Sequence, residues 1–121
     1  MNKDSSASAF SFKADTRLGA TIISLTGTLS DESNRKAKEE FLQVIKNPPR
    51  RMVVDLSRID YISSSGIALL VAILCRCRQI SCGMSICGLR SDTQELFRLT
   101  RISQVFEIYE DVNAALKVAS V

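Results

Sequence analysis

The apolar positions near the start of the chain alternate with polar ones, which predicts β-strands. "TIISLTG", Thr21 to Gly27, is rich in β-branched residues and places Ile23 and Leu25 on one face. An earlier segment, residues 10–14, also alternates, with two phenylalanines separated by a serine. The two segments are therefore predicted to pair as neighbouring strands.

A helical period replaces this alternation after Ser30. Ser30 is a suitable N-cap, and Asp31 and Glu32 would occupy the first turn, where the helix dipole favours negative charge. Apolar residues then recur with the spacing of a helix that buries one face, at Ala37, Phe41, Val44 and Ile45. The sequence "NPP" is predicted to end this helix.

The middle of the chain predicts a buried strand followed by a buried helix. "RMVVDL" has consecutive apolar residues at 52–54, which is typical of a strand covered on both faces and therefore central in its sheet. After the serines at 63–65, the segment from Ile67 to about Ile80 is apolar almost all round until Arg76, which predicts a helix.

Three further elements are predicted near the C-terminus, and they complete the fold. "GMSICGL" reads as a strand, and "SDTQELFRL" as a helix with Ser91 and Gln94 in capping-box spacing. A short strand near 105–108 and a helix from about Asp111 follow, the latter with its apolar residues inward. The predicted fold class is α/β, with a central mixed sheet of about five strands packed by about four α-helices.

Length and composition fit a single domain. The chain has 121 residues, 45% of them hydrophobic, which suits one core. Residues 1–9 are small and polar and are expected to form a flexible tail before a domain spanning 10–119. The longest apolar run, Ile67 to Cys75, is far shorter than the roughly 20 residues that cross a bilayer. With no secretion signal evident, a cytoplasmic protein is expected.

Neither the charge of the chain nor its cysteine content indicates a nucleic-acid, membrane or metal ligand. The net charge is +3 and the one basic cluster, Arg50 and Arg51, lacks the aromatic neighbours typical of a nucleic-acid surface, so no nucleic acid or membrane partner is expected. The chain has four cysteines, no C-x-x-C pair and no histidine. The cysteines are therefore predicted to be buried or half-buried thiols, and no metal or other cofactor is expected.

Enzymatic chemistry finds little support. A serine hydrolase needs a general base, usually histidine, and the chain has none. The nucleophile elbow of such enzymes, G-x-S-x-G, needs a glycine two residues before the serine, where this chain has Ile62. The stretch from Gly83 to Gly88 has the glycine spacing of a phosphate-binding loop, but Leu89 and Arg90 follow it instead of lysine and serine or threonine. The protein is predicted not to be an enzyme.

The sequence "SSSG" at 63–66 fits a helix start, where a serine hydroxyl accepts hydrogen bonds from first-turn N–H groups. The positive end of the helix dipole also stabilises an added phosphate. A serine at this position could therefore change charge without unfolding the domain.

The order of elements, together with "LTGTLS", "VVDLSRIDYISSSGIALL" and "CGLRSDTQELFRLTRISQVFEIYEDVNAAL", resembles the STAS domain. The resemblance is to the single-domain anti-sigma factor antagonists of bacterial partner-switching systems, and it covers about residues 10–119. It implies the STAS fold and a binding module that is phosphorylated at a helix start. On this chain Ser64 falls on the phosphoacceptor and Gly66 on the motif glycine, whereas Ser63 stands where aspartate is usual.

The resemblance implies that the unphosphorylated protein binds an anti-sigma factor that is also a serine kinase of the histidine-kinase-like ATPase class. Phosphorylation of Ser64, with Ser63 or Ser65 as alternatives, would release that kinase, and a PP2C-type phosphatase would restore binding. The implied partner interface comprises Thr28, Ser30, Asp31, Ser63, Ser64, Ser65 and Ile67.

An alternative function is compatible with the same fold and involves no phosphorylation. STAS domains also occur as parts of transporters, so the chain could instead be a docking subunit, not phosphorylated, of a transporter or another signalling complex.

Overall fold

The computed structural model describes residues 10–119, which form a five-stranded sheet covered by helices on both faces. The predicted tail at 1–9 lies outside the described residues. The elements, in chain order, are β1 Ser11–Arg17, β2 Ala20–Leu29, α1 Asp31–Lys46, β3 Arg51–Ile62, α2 Ser64–Gln79, β4 Gly83–Cys87, α3 Ser91–Leu99, a 3₁₀ turn Ile102–Gln104, β5 Glu107–Tyr109 and α4 Val112–Ala119.

The sheet is mixed, as predicted, and β3 is its central strand. The spatial order is β1-β2-β3-β4-β5; β1 runs antiparallel to β2, and the other neighbours run parallel. Parallel neighbours need a crossover connection, and α1, α2 and α3 provide these connections. Each of these helices therefore begins at the edge of the sheet where a parallel strand ends.

The two faces of the sheet carry cores of different size. The larger core lies on the side of Ile23, Leu25 and Phe41, all fully buried. The smaller core consists of Ala20, Ile22, Val53, Cys87, Ala115 and Leu116, so α4 covers this side. The alternation of Met52 and Val53 between the two cores confirms that both faces of β3 are buried.

Several predicted boundaries were wrong because strand pairing extends further than the sequence pattern. The third strand was predicted to end at Leu56, but pairing with β2 continues to Ile62. Likewise β2 continues to Leu29, two residues beyond Gly27, where the predicted strand ended. The helical segment predicted from Ile67 begins three residues earlier, at Ser64, which agrees with the helix start predicted at the serines.

The predicted capping box of the third helix was also wrong. Arg90 is the N-cap of α3, and Ser91 is already helical. The Gln94 side chain instead donates to the carbonyl of Leu89, at 3.0 Å. The last strand begins at Glu107, because Val105 follows the 3₁₀ turn and donates its N–H to Ile102.

Gly66 permits close contact between α2 and the end of β2. A Cβ atom at Gly66 would lie 2.5 Å from the carbonyl oxygen of Leu29, whereas one at Gly83 would meet nothing nearer than 3.5 Å. Gly66→Ala is expected to lower the free energy of unfolding by about 1–3 kcal/mol through overpacking. Urea denaturation measures this loss. Gly83→Ala is the matched control, and an equal effect of the two substitutions would contradict the close-contact argument.

The hairpin turn between β1 and β2 carries backbone strain that can be removed. Leu18 and Gly19 form a two-residue loop with φ of 52° and 80°, and the Leu18 side chain is 77% exposed. Such loops prefer Asn-Gly, because asparagine tolerates the left-handed region better than leucine. Leu18→Asn is expected to raise the free energy of unfolding by about 1 kcal/mol in thermal denaturation. Leu18→Ala, which has no such preference, should change it little; equal stabilisation by both would refute the explanation.

Candidate functional site

Two helix N-termini lie side by side at one edge of the sheet. Because β2 and β3 are parallel and paired up to Leu29 and Ile62, the helices that follow them begin at the same level. The N–H of Ser63 donates to the carbonyl of Leu29 at 2.9 Å, which continues the strand pairing into the start of α2. The site is therefore placed by strand register.

The start of α2 is capped by Ser63. Its Oγ accepts from the N–H of Gly66 at 3.1 Å, and it lies 2.8 Å from the Oγ of Ser65. Ser63 and Ser65 are half-buried, and both hydroxyls are engaged in this pair. Ser64 lies between them as the first helical residue and is exposed. Its hydroxyl makes no hydrogen bond to any residue in the range 10–119.

The start of α1 is held by Ser33, which sequence reasoning missed. Ser30 is the N-cap, as predicted, and its N–H donates to the Oγ of Ser33 at 3.0 Å. The same Oγ donates to the carbonyl of Thr28 at 2.7 Å. The spacing of Ser30 and Ser33 is that of a capping box, but with serine in place of the usual glutamate or glutamine.

Asn34 connects the two helix starts. Its Nδ2 donates to the carbonyl of Ser65 at 3.0 Å, so the first turn of α1 is tied to the first turn of α2. Because 31 positions separate the two residues, no local sequence signal could have indicated this contact.

The remaining predicted site residues occupy different environments. Thr28 and Ser30 are half-buried at the rim, and Asp31 is exposed beside them. Ile67 is only 8% exposed and belongs to the larger core, so its side chain supports α2 from beneath and offers little surface. Tyr61, which sequence reasoning did not single out, is 60% exposed and pairs with Thr28 at the end of β3.

The start of α2 has no acidic residue, but acidic side chains lie on the neighbouring elements. The first turn of α2 carries no acidic residue, whereas Asp31 and Glu32 occupy the first turn of α1. Asp60 is exposed at the end of β3. The free N–H groups of α2 therefore present a positive dipole end at Ser64 with no carboxylate in the same turn.

The cysteines lie away from this site. All four are free; Cys77, Cys82 and Cys87 are buried, and Cys75 is exposed, which corrects the expectation that none would be fully accessible. Burial raises the pKa of the Cys77 and Cys87 thiols to about 12, so both are protonated at neutral pH. A protonated thiol is a poor nucleophile and a poor metal ligand.

The described residues offer neither a metal cluster nor a membrane span. Within 10–119 no three residues of the types His, Cys, Asp and Glu come together as a metal site would require. None of the described helices is both long and apolar enough to cross a bilayer.

Comparisons with known proteins find relatives of similar sequence and of similar fold. BtrV, a candidate anti-sigma factor antagonist of Bordetella bronchiseptica, is 27% identical over 97 residues, which cover 80% of this chain and 84% of BtrV. The crystal structure of an anti-sigma factor antagonist from Mycobacterium paratuberculosis has a TM-score of 0.86 at 18% identity, over 94% of this chain and 97% of that one. The Bacillus cell fate determinant SpoIIAA in its phosphorylated form has a TM-score of 0.68 at 13% identity, over 89% and 99%.

At such identities the two structures show a shared fold. The family model gives the assignment itself, since the model of the STAS domain matches residues 11–115, nearly the whole described range. The chain belongs to the STAS domain family.

Proposed function

We propose that this protein is an anti-sigma factor antagonist controlled by phosphorylation of Ser64. Unphosphorylated, it binds an anti-sigma factor that is also a serine kinase of the histidine-kinase-like ATPase class, and thereby keeps that factor from its other client. Phosphorylated by the same kinase, it releases the kinase. A PP2C-type phosphatase resets the switch.

The accessibility of Ser64 is the single observation that carries this proposal. Ser64 is exposed and its hydroxyl is free within the described chain, whereas Ser63 and Ser65 are half-buried and bonded to each other. A kinase must reach the hydroxyl and turn it toward ATP. Of the three adjacent serines, Ser64 is the one for which this requires no rearrangement of the cap.

A phosphate at Ser64 is compatible with the fold. It would sit on the first turn of α2, where free N–H groups and the dipole favour a negative group. The cap itself would persist, because the bond from Gly66 goes to the Oγ of Ser63. Phosphorylation should therefore change the surface while the core stays as it is.

The proposed docking surface surrounds Ser64. It consists of the exposed or half-buried residues at the two helix starts and the neighbouring tyrosine: Thr28, Ser30, Asp31, Tyr61, Ser63, Ser64 and Ser65. A phosphate adds a charge of about −1.5 to −2 at its centre. Burying that charge unpaired in an interface costs several kcal/mol, and each 1.4 kcal/mol weakens binding about tenfold.

In this mechanism the domain performs no chemistry of its own. It is the substrate of a kinase and a phosphatase, and a ligand of the kinase. Because that kinase draws on cellular ATP, the protein is proposed to act in the cytoplasm.

Phosphate mapping tests the acceptor. After incubation with ATP and a serine kinase of this class from the same genome, mass spectrometry should find phosphate on Ser64, and Ser64→Ala should abolish it while Ser65→Ala retains it. Ser64→Ala should change the free energy of unfolding by less than about 0.5 kcal/mol. Ser63→Ala should cost about 1 kcal/mol through loss of the cap. Undiminished labelling of Ser64→Ala would show that another serine is the acceptor.

Binding measurements test the charge mechanism. Ser64→Asp is expected to fold normally yet bind the kinase at least about tenfold more weakly by calorimetry. Ser64→Asn, similar in shape but neutral, is the matched control and should bind nearly as the wild type does. Equal binding of the aspartate variant and the wild type would contradict the mechanism. A protein that no kinase modifies would instead favour the docking role in a transporter or another complex.

A further inference from the structure

The outer edge of β1 is an exposed strand edge that the function proposed above does not use. β1 lies at the end of the sheet and pairs only with β2 among the described strands. Its seven residues are exposed, apart from the half-buried Phe12. An edge strand presents unpaired N–H and C=O groups, which can template pairing with another chain.

The side chains of β1 divide between the two faces of the sheet. Phe12 points to the larger core, where its ring meets that of Phe41 edge-on with centroids 5.0 Å apart. Strand alternation therefore places Lys13 and Asp15 together on the opposite face. Neither residue forms an ion pair with another residue of the described chain. β1 thus presents Lys13 and Asp15, which have opposite charges, lie two positions apart and have no ion-pair partner among the described residues. Arg17, on the same face, donates instead to the Oδ1 of Asn113 at 2.9 Å.

We propose that a second copy of this chain binds the β1 edge, with the two β1 strands antiparallel about a two-fold axis at Ala14. In this register Lys13 of each protomer lies opposite Asp15 of its partner, so two cross-strand ion pairs form. Ser11 lies opposite Arg17 on the same face, and Phe12 lies opposite Thr16 on the other. The seven-residue strand is paired along its whole length.

The neighbouring registers are disfavoured by charge. Directly opposed residues of an antiparallel pair must point to the same face. The two-fold axis must therefore pass through a residue, and the next registers are centred at Lys13 and at Asp15. A centre at Lys13 opposes two lysines, and a centre at Asp15 opposes two aspartates. Like charges directly opposite destabilise a strand pair, whereas opposite charges stabilise it. Only the register centred at Ala14 pairs the full strand with both charges complemented.

The proposed dimer leaves both phosphorylation sites free. Ser64 lies at the carboxyl ends of the parallel strands. Antiparallel β1–β1 pairing would give a continuous ten-stranded sheet in which the carboxyl ends of the two protomers lie at opposite edges. Each protomer could therefore engage a kinase without obstructing the other. A single strand pair buries less area than a standard protein interface, so the dimer should be weak and dependent on concentration.

A charge swap tests the proposal with the full-length chain. Sedimentation velocity over a concentration series should show a monomer–dimer equilibrium for the wild type. Lys13→Asp alone and Asp15→Lys alone should each lower the association constant by about tenfold or more, because two attractive pairs become repulsive. The double variant, with the charges exchanged, should recover it. Mixing the two single variants should give a heterodimer, since every opposed pair is then complementary.

Three results would overturn the proposal. The first is a wild type that stays monomeric at every concentration. The second is dimerisation that is unchanged in the single variants, which would place the interface elsewhere. The third is hydrogen exchange in which the β1 amides that point away from β2 are protected equally at all concentrations, which would mean that another segment of the same chain covers the edge. Thermal denaturation of each variant checks that these exposed substitutions leave the fold intact.

Discussion

The contact between the start of α2 and the end of β2 is the constraint on which the site depends. Gly66 packs so closely that a single added carbon would lie 2.5 Å from the carbonyl oxygen of Leu29, and the N–H of Ser63 donates to that same oxygen. Together these contacts fix where α2 begins relative to the last residues of β2. Since α1 follows β2 directly, the same contact also sets the distance between the two helix starts.

The hydrogen bonds around Ser64 hold the neighbouring serines and leave the Ser64 hydroxyl free. Ser63 caps the helix and holds Ser65, while Asn34 ties Ser65 to the neighbouring helix. The hydroxyls of Ser63 and Ser65 thus both have hydrogen-bond partners, whereas the hydroxyl of Ser64 has none among the described residues. In the proposed mechanism, structural and regulatory roles are divided between adjacent serines, so phosphorylation of Ser64 need not disturb the cap.

The same architecture separates the surfaces by which the molecule could meet partners. The helix starts lie at the edge where the parallel strands end, with β3 at the centre of the sheet. The unpaired backbone of β1 lies along one side of that sheet, and Lys13 and Asp15 project on the face opposite Phe41. Because the two surfaces share no residue, the proposed self-association through β1 and the proposed binding at Ser64 do not exclude each other.

Local patterns determined the fold class, the mixed sheet, the central position of β3 and the helix start at the serines, because hydrophobic period and capping chemistry act over a few neighbouring residues. The motif around Ser64 also determined the family resemblance. Tertiary structure alone decided that β3 extends to Ile62 and that Asn34 joins the two helices. These features depend on strand register and on contacts between residues distant in sequence, which no local pattern encodes.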